Sequence, residues 1–407
     1  MSQRLTQIKD HLMSNGGHTV KDKRADDVVI VAAYRTAIGK GFKGGFKDVN
    51  TDYLLQQFLI NFLEHLPEPI QKNKGLIEDV TCGNVLNPGA GATEHRAACL
   101  GAGIPYTAAF EAVNRQCSSG LTAVNEVANK IRVGQISMGL ALGAESMSQN
   151  YGPQALGNVS SELKQNKEAR KCMIPMGITN ENVSQKFNIS REDQDKFAAE
   201  SYRKAERAVS QGFFQEEILP ISLPDGTVIS IDEGPRRGVT ARGLGNLKPA
   251  FIKEKGTTTA GNASQISDGV AGVLLTRRAV ATQLNLPILG KYVAFQTVGV
   301  PPDIMGVGPA YAIPRVLKDC NLSVNDIDVF EINEAFAGQA LYCINKLNIA
   351  HDNVNPRGGA IALGHPLGCT GARQIATILR ELNEGQIGVV SMCVGTGMGA
   401  AAVFVKE

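Results

Sequence analysis

The chain has 407 residues, 43% hydrophobic and 20% charged, with a formal net charge of +2. That length allows a large core and exceeds one ordinary domain, so two or three folded units are expected; the balanced charge gives no reason to make nucleic acid the main partner, and any anion site has to be local. No stretch approaches the roughly 18 consecutive apolar residues of a membrane span, and eight cysteines without C-x-x-C or zinc spacing, in a chain lacking a secretory core, suit a reducing or thiol-tolerant compartment.

Residues 1–25 are polar, carry Gly16-Gly17 and the run Lys21-Asp22-Lys23-Arg24, and are expected to form a mobile leader. Residues 27–34 are a short apolar run of the kind buried on both faces of a sheet. Thr51 to Leu66 follows with Leu54, Leu55, Phe58, Leu59 and Phe62 at helical spacing, and Val80 to Val85 reads as the next strand. After Asn114-Arg115-Gln116-Cys117-Ser118-Ser119-Gly120, the residues Leu121, Val124, Val127, Ala128 and Ile131 define another helix, with Cys117 to Ser119 expected in its first turn. A thiolate there would be stabilised by unpaired N–H groups and the helix dipole. A further strand spans Ile136 to Gly143, and the alternation argues for an α/β core.

From Ser148 to Ile266 the rhythm weakens and charge, Asn and Gln increase, which marks an inserted loop domain. It contains one clear helix, Glu192 to Gln211, whose start Ser190-x-x-Asp193 resembles a capping box with Asp in place of Glu. It also carries Arg236, Arg237, Arg242, Lys248, Lys253 and Lys255, a cluster able to meet phosphates or simply a solvated surface. The units expected are a leader (1–25), a first core half (26–147, completed by 267–287), the insert (148–266) and a second core half (288–407).

The second half repeats the first. Ser118-Ser119-Gly120 matches Cys369-Thr370-Gly371, and Gly134-Gln135-Ile136 matches Gly385-Gln386-Ile387, at one offset; Asp79-Val80 and Asn84 match Asp328-Val329 and Asn333 at a nearly equal one. Duplication is the simplest cause, and it would place corresponding strand ends across a pseudo-twofold axis, gathering Cys117, Asn333, His365 and Cys393 at one cleft. Interfaces of this kind commonly hold ligands.

Chemistry concentrates in three stretches. Cys117 stands at a helix start. His365 lies in a glycine-dense loop, Gly358 to Gly371, where backbone can approach a ligand. Cys393 ends an apolar strand that runs into Gly395-Thr396-Gly397, a turn whose N–H groups can face a developing oxyanion. His365 could take the proton of Cys117, and Cys393 could handle a second one.

Asn-Arg-Gln-Cys-Ser-Ser-Gly, Asn-Glu-Ala-Phe (Asn333 to Phe336), Gly-His-Pro-Leu-Gly-Cys-Thr-Gly and Cys-Val-Gly-Thr-Gly-Met-Gly, in this order, resemble the thiolase family from about Asp27 to the C-terminus. The resemblance implies an α/β thiolase fold: two duplicated βαβαβαββ halves in a layered α/β/α/β/α structure with an inserted loop domain. It implies that Cys117 is acylated, that His365 activates it and helps bind the thioester oxygen, and that Asn333 holds a water completing that oxyanion hole. Cys393 would be the acid and base, and the N–H groups of Cys117 and Gly395 a second oxyanion hole. Arg236 and Ser264 match positions that touch the adenine and pantetheine parts of coenzyme A; Met176, Met305 and Phe336 match positions near the acyl end. Taken alone, the methionines and Phe336 could be core and Ser264 a turn cap. The other five cysteines and Cys369 are expected to have no chemical role.

The implied reaction is thiolysis of a 3-oxoacyl-CoA by coenzyme A, with no metal or bound cofactor and coenzyme A as co-substrate. Acetoacetyl-specific members carry His-Met-Gly where this chain has Pro175-Met176-Gly177, and Gly-Gly where it has Gly395-Thr396; both differences favour the degradative, broad chain-length class. The alternatives are condensation of two acetyl-CoA, a non-catalytic acyl-CoA- or lipid-binding member of the fold, and a cysteine protease, which would need neither Cys393 nor a basic insert. The resemblance further implies a homodimer. Arg4-Leu5, five residues and His11-Leu12 resemble an amino-terminal peroxisomal targeting signal, with Leu5, Ile8 and Leu12 on one helical face for an import receptor.

Overall fold

The computed structural model describes residues 19–152 and 159–407; the candidate targeting signal, Arg4 to Leu12, lies outside them. The first half runs β1 (Val28–Arg35), α1 (Thr51–Glu64), β2 (Asp79–Gly83), α2 (Ala92–Gly101), β3 (Ala109–Val113), α3 (Ser119–Arg132) and β4 (Met138–Ser146). Then come α4 (Met176–Lys186) and α5 (Arg191–Ser210), before β5 (Ser267–Arg277) returns to the sheet. The second half runs β6 (Gly290–Gly299), α6 (Gly308–Asp319), β7 (Val329–Ile332), α7 (Ala337–Leu347), α8 (Thr370–Glu381), β8 (Ile387–Val394) and β9 (Met398–Lys406).

The strands hydrogen-bond in the order β7-β8-β9-β6-β1-β5-β4-β2-β3, with the short strand Gly39–Lys40 on β5. The two halves of this sheet have one topology. β1, β5 and β4 are successively antiparallel and β4 pairs parallel with β2; β6, β9 and β8 are likewise antiparallel and β8 pairs parallel with β7. Among the described residues the two halves of the sheet pair only at β1 and β6, through Val28–Tyr292, Val29–Lys291 and Ile30–Gly290. So thin a seam lets them fold over one another into layers.

Side-chain alternation on the strands separates three apolar cores. Leu54, Phe58 and Phe62 of α1 cover Val29, Leu140 and Leu274 on the outer face of the first half. Leu121, Val124 and Val127 of α3 and Ile375 and Leu379 of α8 lie between the halves, against Ile30 and Val273 on one side and Val390 and Ala402 on the other. Ile313 and Val316 of α6 and Ile344 of α7 cover Phe330, Val389 and Val403 on the far face. The result is the α/β/α/β/α layering. Where α3 and α8 cross, backbone meets backbone: a Cβ on Gly120 would lie 2.5 Å from the Gly368 carbonyl, and one on Gly371 would strike the Leu121 backbone. The matched glycines of the repeat are the crossing point of the two helices.

Two local expectations change. Ser190 caps α5, its hydroxyl accepting from Asp193 N–H at 3.0 Å. The Asp193 carboxylate takes the Ser190 hydroxyl at 2.6 Å. Cys117 lies outside the first turn: α3 begins at Ser119 with Ser118 as its cap. Gln116 adopts a left-handed φ of 49° and the Ser119 hydroxyl accepts from Arg115 N–H at 2.9 Å, so the chain turns sharply before the helix and leaves Cys117 at its corner.

Candidate active site

The turn at Gln116 aims the Cys117 sulfur at the end of β8, where the backbone N–H of Gly395 and that of Cys117 itself point toward it. Burial pushes the Cys117 thiol up to about 11, with those two N–H groups pulling the other way. Desolvation outweighs the helix start, and Cys117 rests as a thiol that needs a base. Cys393 is fully buried, and burial, with the Cys117 sulfur beside it, holds its thiol well above the ordinary range.

His365 is the only histidine in the Gly358–Gly371 loop. Its Nδ1 lies 2.6 Å from Thr370 Oγ1, which donates its own hydrogen to the Pro366 carbonyl at 3.0 Å. Thr370 must then accept, so the ring proton sits on Nδ1 and Nε2 is the basic nitrogen. Burial, reinforced by the charge of Arg373, pushes the ring down to about 3, so it is neutral near neutral pH. Asn333 Nδ2 lies 3.3 Å from Nε2, and Asn333 Oδ1 is buried with no hydrogen-bond partner among the described residues. An orphaned acceptor at that point suits a water, which can donate to it.

The candidate acyl-end residues do assemble. Met305, Ala335, Phe336 and Cys393 form one buried apolar cluster, with Met176 and Ala263 packed on it. The segment before β5 closes this side, since Ala337 N–H donates to Asn262 and Ser264 N–H to Ala335. Ser264 is half-buried there and Arg236 is exposed, and the Gln265 side chain ties their segments by donating to the Gly234 carbonyl at 3.2 Å.

Three participants carried no separable signal in the sequence. Phe251 packs on Gly177 at the start of α4 and meets Phe336 edge-on at 6.4 Å between centroids; a lone aromatic between Lys248 and Lys253 was its only hint. Thr370 aligned with Ser119 in the repeat and so looked structural. Arg373 is buried in α8, paired with Glu331 at 3.0 Å, and nothing in its helical spacing announces a charge beside His365.

Both halves of the chain match known proteins. Residues 28–279 match the model of the thiolase N-terminal domain and residues 286–406 that of the thiolase C-terminal domain. The chain is 68% identical to the peroxisomal 3-ketoacyl-CoA thiolase of Saccharomyces cerevisiae, with all of both chains covered. The crystal structure of the dimeric peroxisomal thiolase of Saccharomyces cerevisiae superposes with a TM-score of 0.94 at 70% identity, covering 95% of this chain and 99% of that one. Human mitochondrial 3-ketoacyl-CoA thiolase in complex with CoA superposes at 0.83 and 32% identity, covering 94% and 98%. Matched through both halves in sequence and in structure, the chain belongs to the thiolase family.

Proposed function

We propose that Cys117 is the acyl acceptor in thiolytic cleavage of 3-oxoacyl-CoA, the last step of fatty-acid β-oxidation, in the peroxisome. The observation that carries this is the Cys117 sulfur lying beneath two convergent N–H groups beside a second buried cysteine. Nε2 of His365 takes the thiol proton as sulfur attacks C3 of the substrate. The oxygen at C3 gathers charge, and donors that strengthen only as it does so lower the barrier. The C2–C3 bond breaks, its electron pair becomes the enolate of acetyl-CoA, and the Cys393 thiol protonates C2. Coenzyme A then gives its thiol proton to the Cys393 thiolate and attacks the acyl-Cys117 thioester, where the N–H groups of Cys117 and Gly395 hold the oxyanion; as that intermediate collapses, the Cys117 sulfur leaves and takes its proton back from His365. The products are acetyl-CoA and an acyl-CoA two carbons shorter. Arg236 and Ser264 would face the coenzyme A moiety, and Met176, Met305 and Phe336 the acyl end.

The assembly we propose is a homodimer. β3 forms one end of the sheet with partly exposed residues, and Tyr106, 84% exposed, stands beside it. An unpaired strand edge of this kind favours pairing with a second copy. The leader would be read by an import receptor. Mass spectrometry of protein quenched after brief exposure to 3-oxooctanoyl-CoA should show a hexanoyl group on Cys117. An adduct on another residue, or acetyl-CoA release with no adduct, would remove Cys117 from this role.

A further inference from the structure

The duplication creates a second cleft, the mirror of the catalytic one. Asp79-Val80 corresponds to Asp328-Val329, and in the sheet Val80 pairs with Leu140 while Val329 pairs with Gly388. Glu145 is the penultimate residue of β4 as Cys393 is of β8. Asn84 likewise holds the place of Asn333, and Gly368, preceding Cys369-Thr370-Gly371, that of Cys117.

The mirror cleft is filled. The Glu145 carboxylate is fully buried and accepts from Asn84 Nδ2 at 3.1 Å, Val85 N–H at 3.0 Å, Leu86 N–H at 3.2 Å and Gly368 N–H at 2.9 Å. The Asn84 amide meets a carboxylate as the Asn333 amide meets His365, and the Gly368 N–H, counterpart of the Cys117 N–H, points at an anion. Four N–H donors converging in a water-poor site favour the charged form of this tethered carboxyl, against burial, which pushes it up to about 7.

We propose that Glu145 is a positioning residue for the reaction: from the duplicated cleft its carboxyl group clamps the end of the His365 loop to the first half. The loop requires such a hold. Gly364 takes a φ of 111° directly before His365, and Gly368 follows three residues after it. The other end is fixed separately, with Ile361 N–H on the Glu334 carboxylate at 3.2 Å and Gly359 N–H on Ser201 Oγ at 3.1 Å. Gly368 N–H is the tie between the His365 end and the segment carrying Asn84, and the Gly368 carbonyl packs on Gly120, three residues after Cys117. Loss of the carboxylate frees this tie and lets His365 drift from Cys117.

This inference rests on the catalytic reading of Cys117 and His365, and its test separates the two. Glu145→Gln puts an N–H where one carboxylate oxygen accepts, and should lower kcat about 10- to 100-fold with KM for both substrates within about twofold, because a small misplacement of the base costs rate before binding. Glu145→Ala opens a hole of carboxylate size. Sodium formate should raise its Tm and restore part of its kcat, whereas sodium chloride should do neither and wild type should respond to neither salt. The Tm response reports the anion hole whatever reaction the enzyme performs, and wild-type thiolysis reports the reaction alone. Should Glu145→Ala not fold, Asn84→Ala keeps the carboxylate with three donors and should still lower kcat at constant KM. Wild-type kcat in Glu145→Gln or in Asn84→Ala, or a folded Glu145→Ala indifferent to formate, would overturn the proposal.

Discussion

Thr370 Oγ1 accepts a hydrogen bond from His365 Nδ1 at 2.6 Å while donating to Pro366, and this one hydroxyl decides which ring nitrogen is basic. Thr370→Val removes the acceptor at nearly constant volume and lets the proton move to Nε2, where it cannot take one from Cys117. The expected result is a loss in kcat of about 10- to 100-fold, typical of a group that orients a reactive one. Thr370→Ser should recover most of it. Steady-state kinetics decide, and an unchanged kcat in Thr370→Val would show that the ring is held otherwise.

The burial of Cys117 makes its reactivity dependent on pH. With the thiol pushed up to about 11, the thiolate fraction rises about tenfold per pH unit through the neutral and mildly alkaline range. Alkylation of Cys117 by iodoacetamide should climb accordingly without levelling off, and saturating acyl-CoA should protect it. Cys172 is exposed and should be labelled with or without acyl-CoA. Peptide mapping distinguishes the two, and a plateau for Cys117 near neutral pH would indicate a resting thiolate–imidazolium pair instead.

Cys393 is assigned the proton that acetyl-CoA acquires at C2. Serine preserves its shape but is a much weaker acid. Cys393→Ser should keep acylation of Cys117 by acyl-CoA, slowly, and lose wash-in of solvent deuterium at the acetyl-CoA methyl group by several orders of magnitude. Cys117→Ser should lose the acyl-enzyme itself. Near wild-type exchange in Cys393→Ser would return Cys393 to the core, with His365 the next acid to test.

His95 offers a measurement of stability independent of catalysis. It is fully buried, with Nδ1 3.8 Å from Cys82 Sγ, and burial pushes the ring down to about 4 against the pull of Glu94 and Asp52. Its unfolded value is about 6.5, so the folded state resists protonation: the stability it contributes is present above that pH and is lost as pH falls toward 4, by up to about 1.4 kcal/mol per pH unit. Urea midpoints should therefore drop more steeply between about pH 6.5 and 4.5 in wild type than in His95→Gln. Parallel slopes would mean that the ring is protonated in the native state.

Much of this protein follows from sequence alone, because the deciding forces are local or periodic. Leu54, Phe58 and Phe62 recur at helical spacing, and that spacing needs no knowledge of what they cover. The duplicated Ser-Ser-Gly and Cys-Thr-Gly mark the two helices of the middle layer, and the motifs around Cys117, Asn333, His365 and Cys393 identify the family before any coordinate is known. Tertiary structure decided the electrostatics and the second set of partners. A helix start favours a thiolate at Cys117, yet burial, a property of the whole fold, outweighs it. Thr370, Arg373 and Phe251 act on residues brought close by folding, and Glu145 meets Gly368 across 223 positions of sequence. Desolvation and long-range hydrogen bonds depend on which surfaces close over a group, and no window of sequence contains that information.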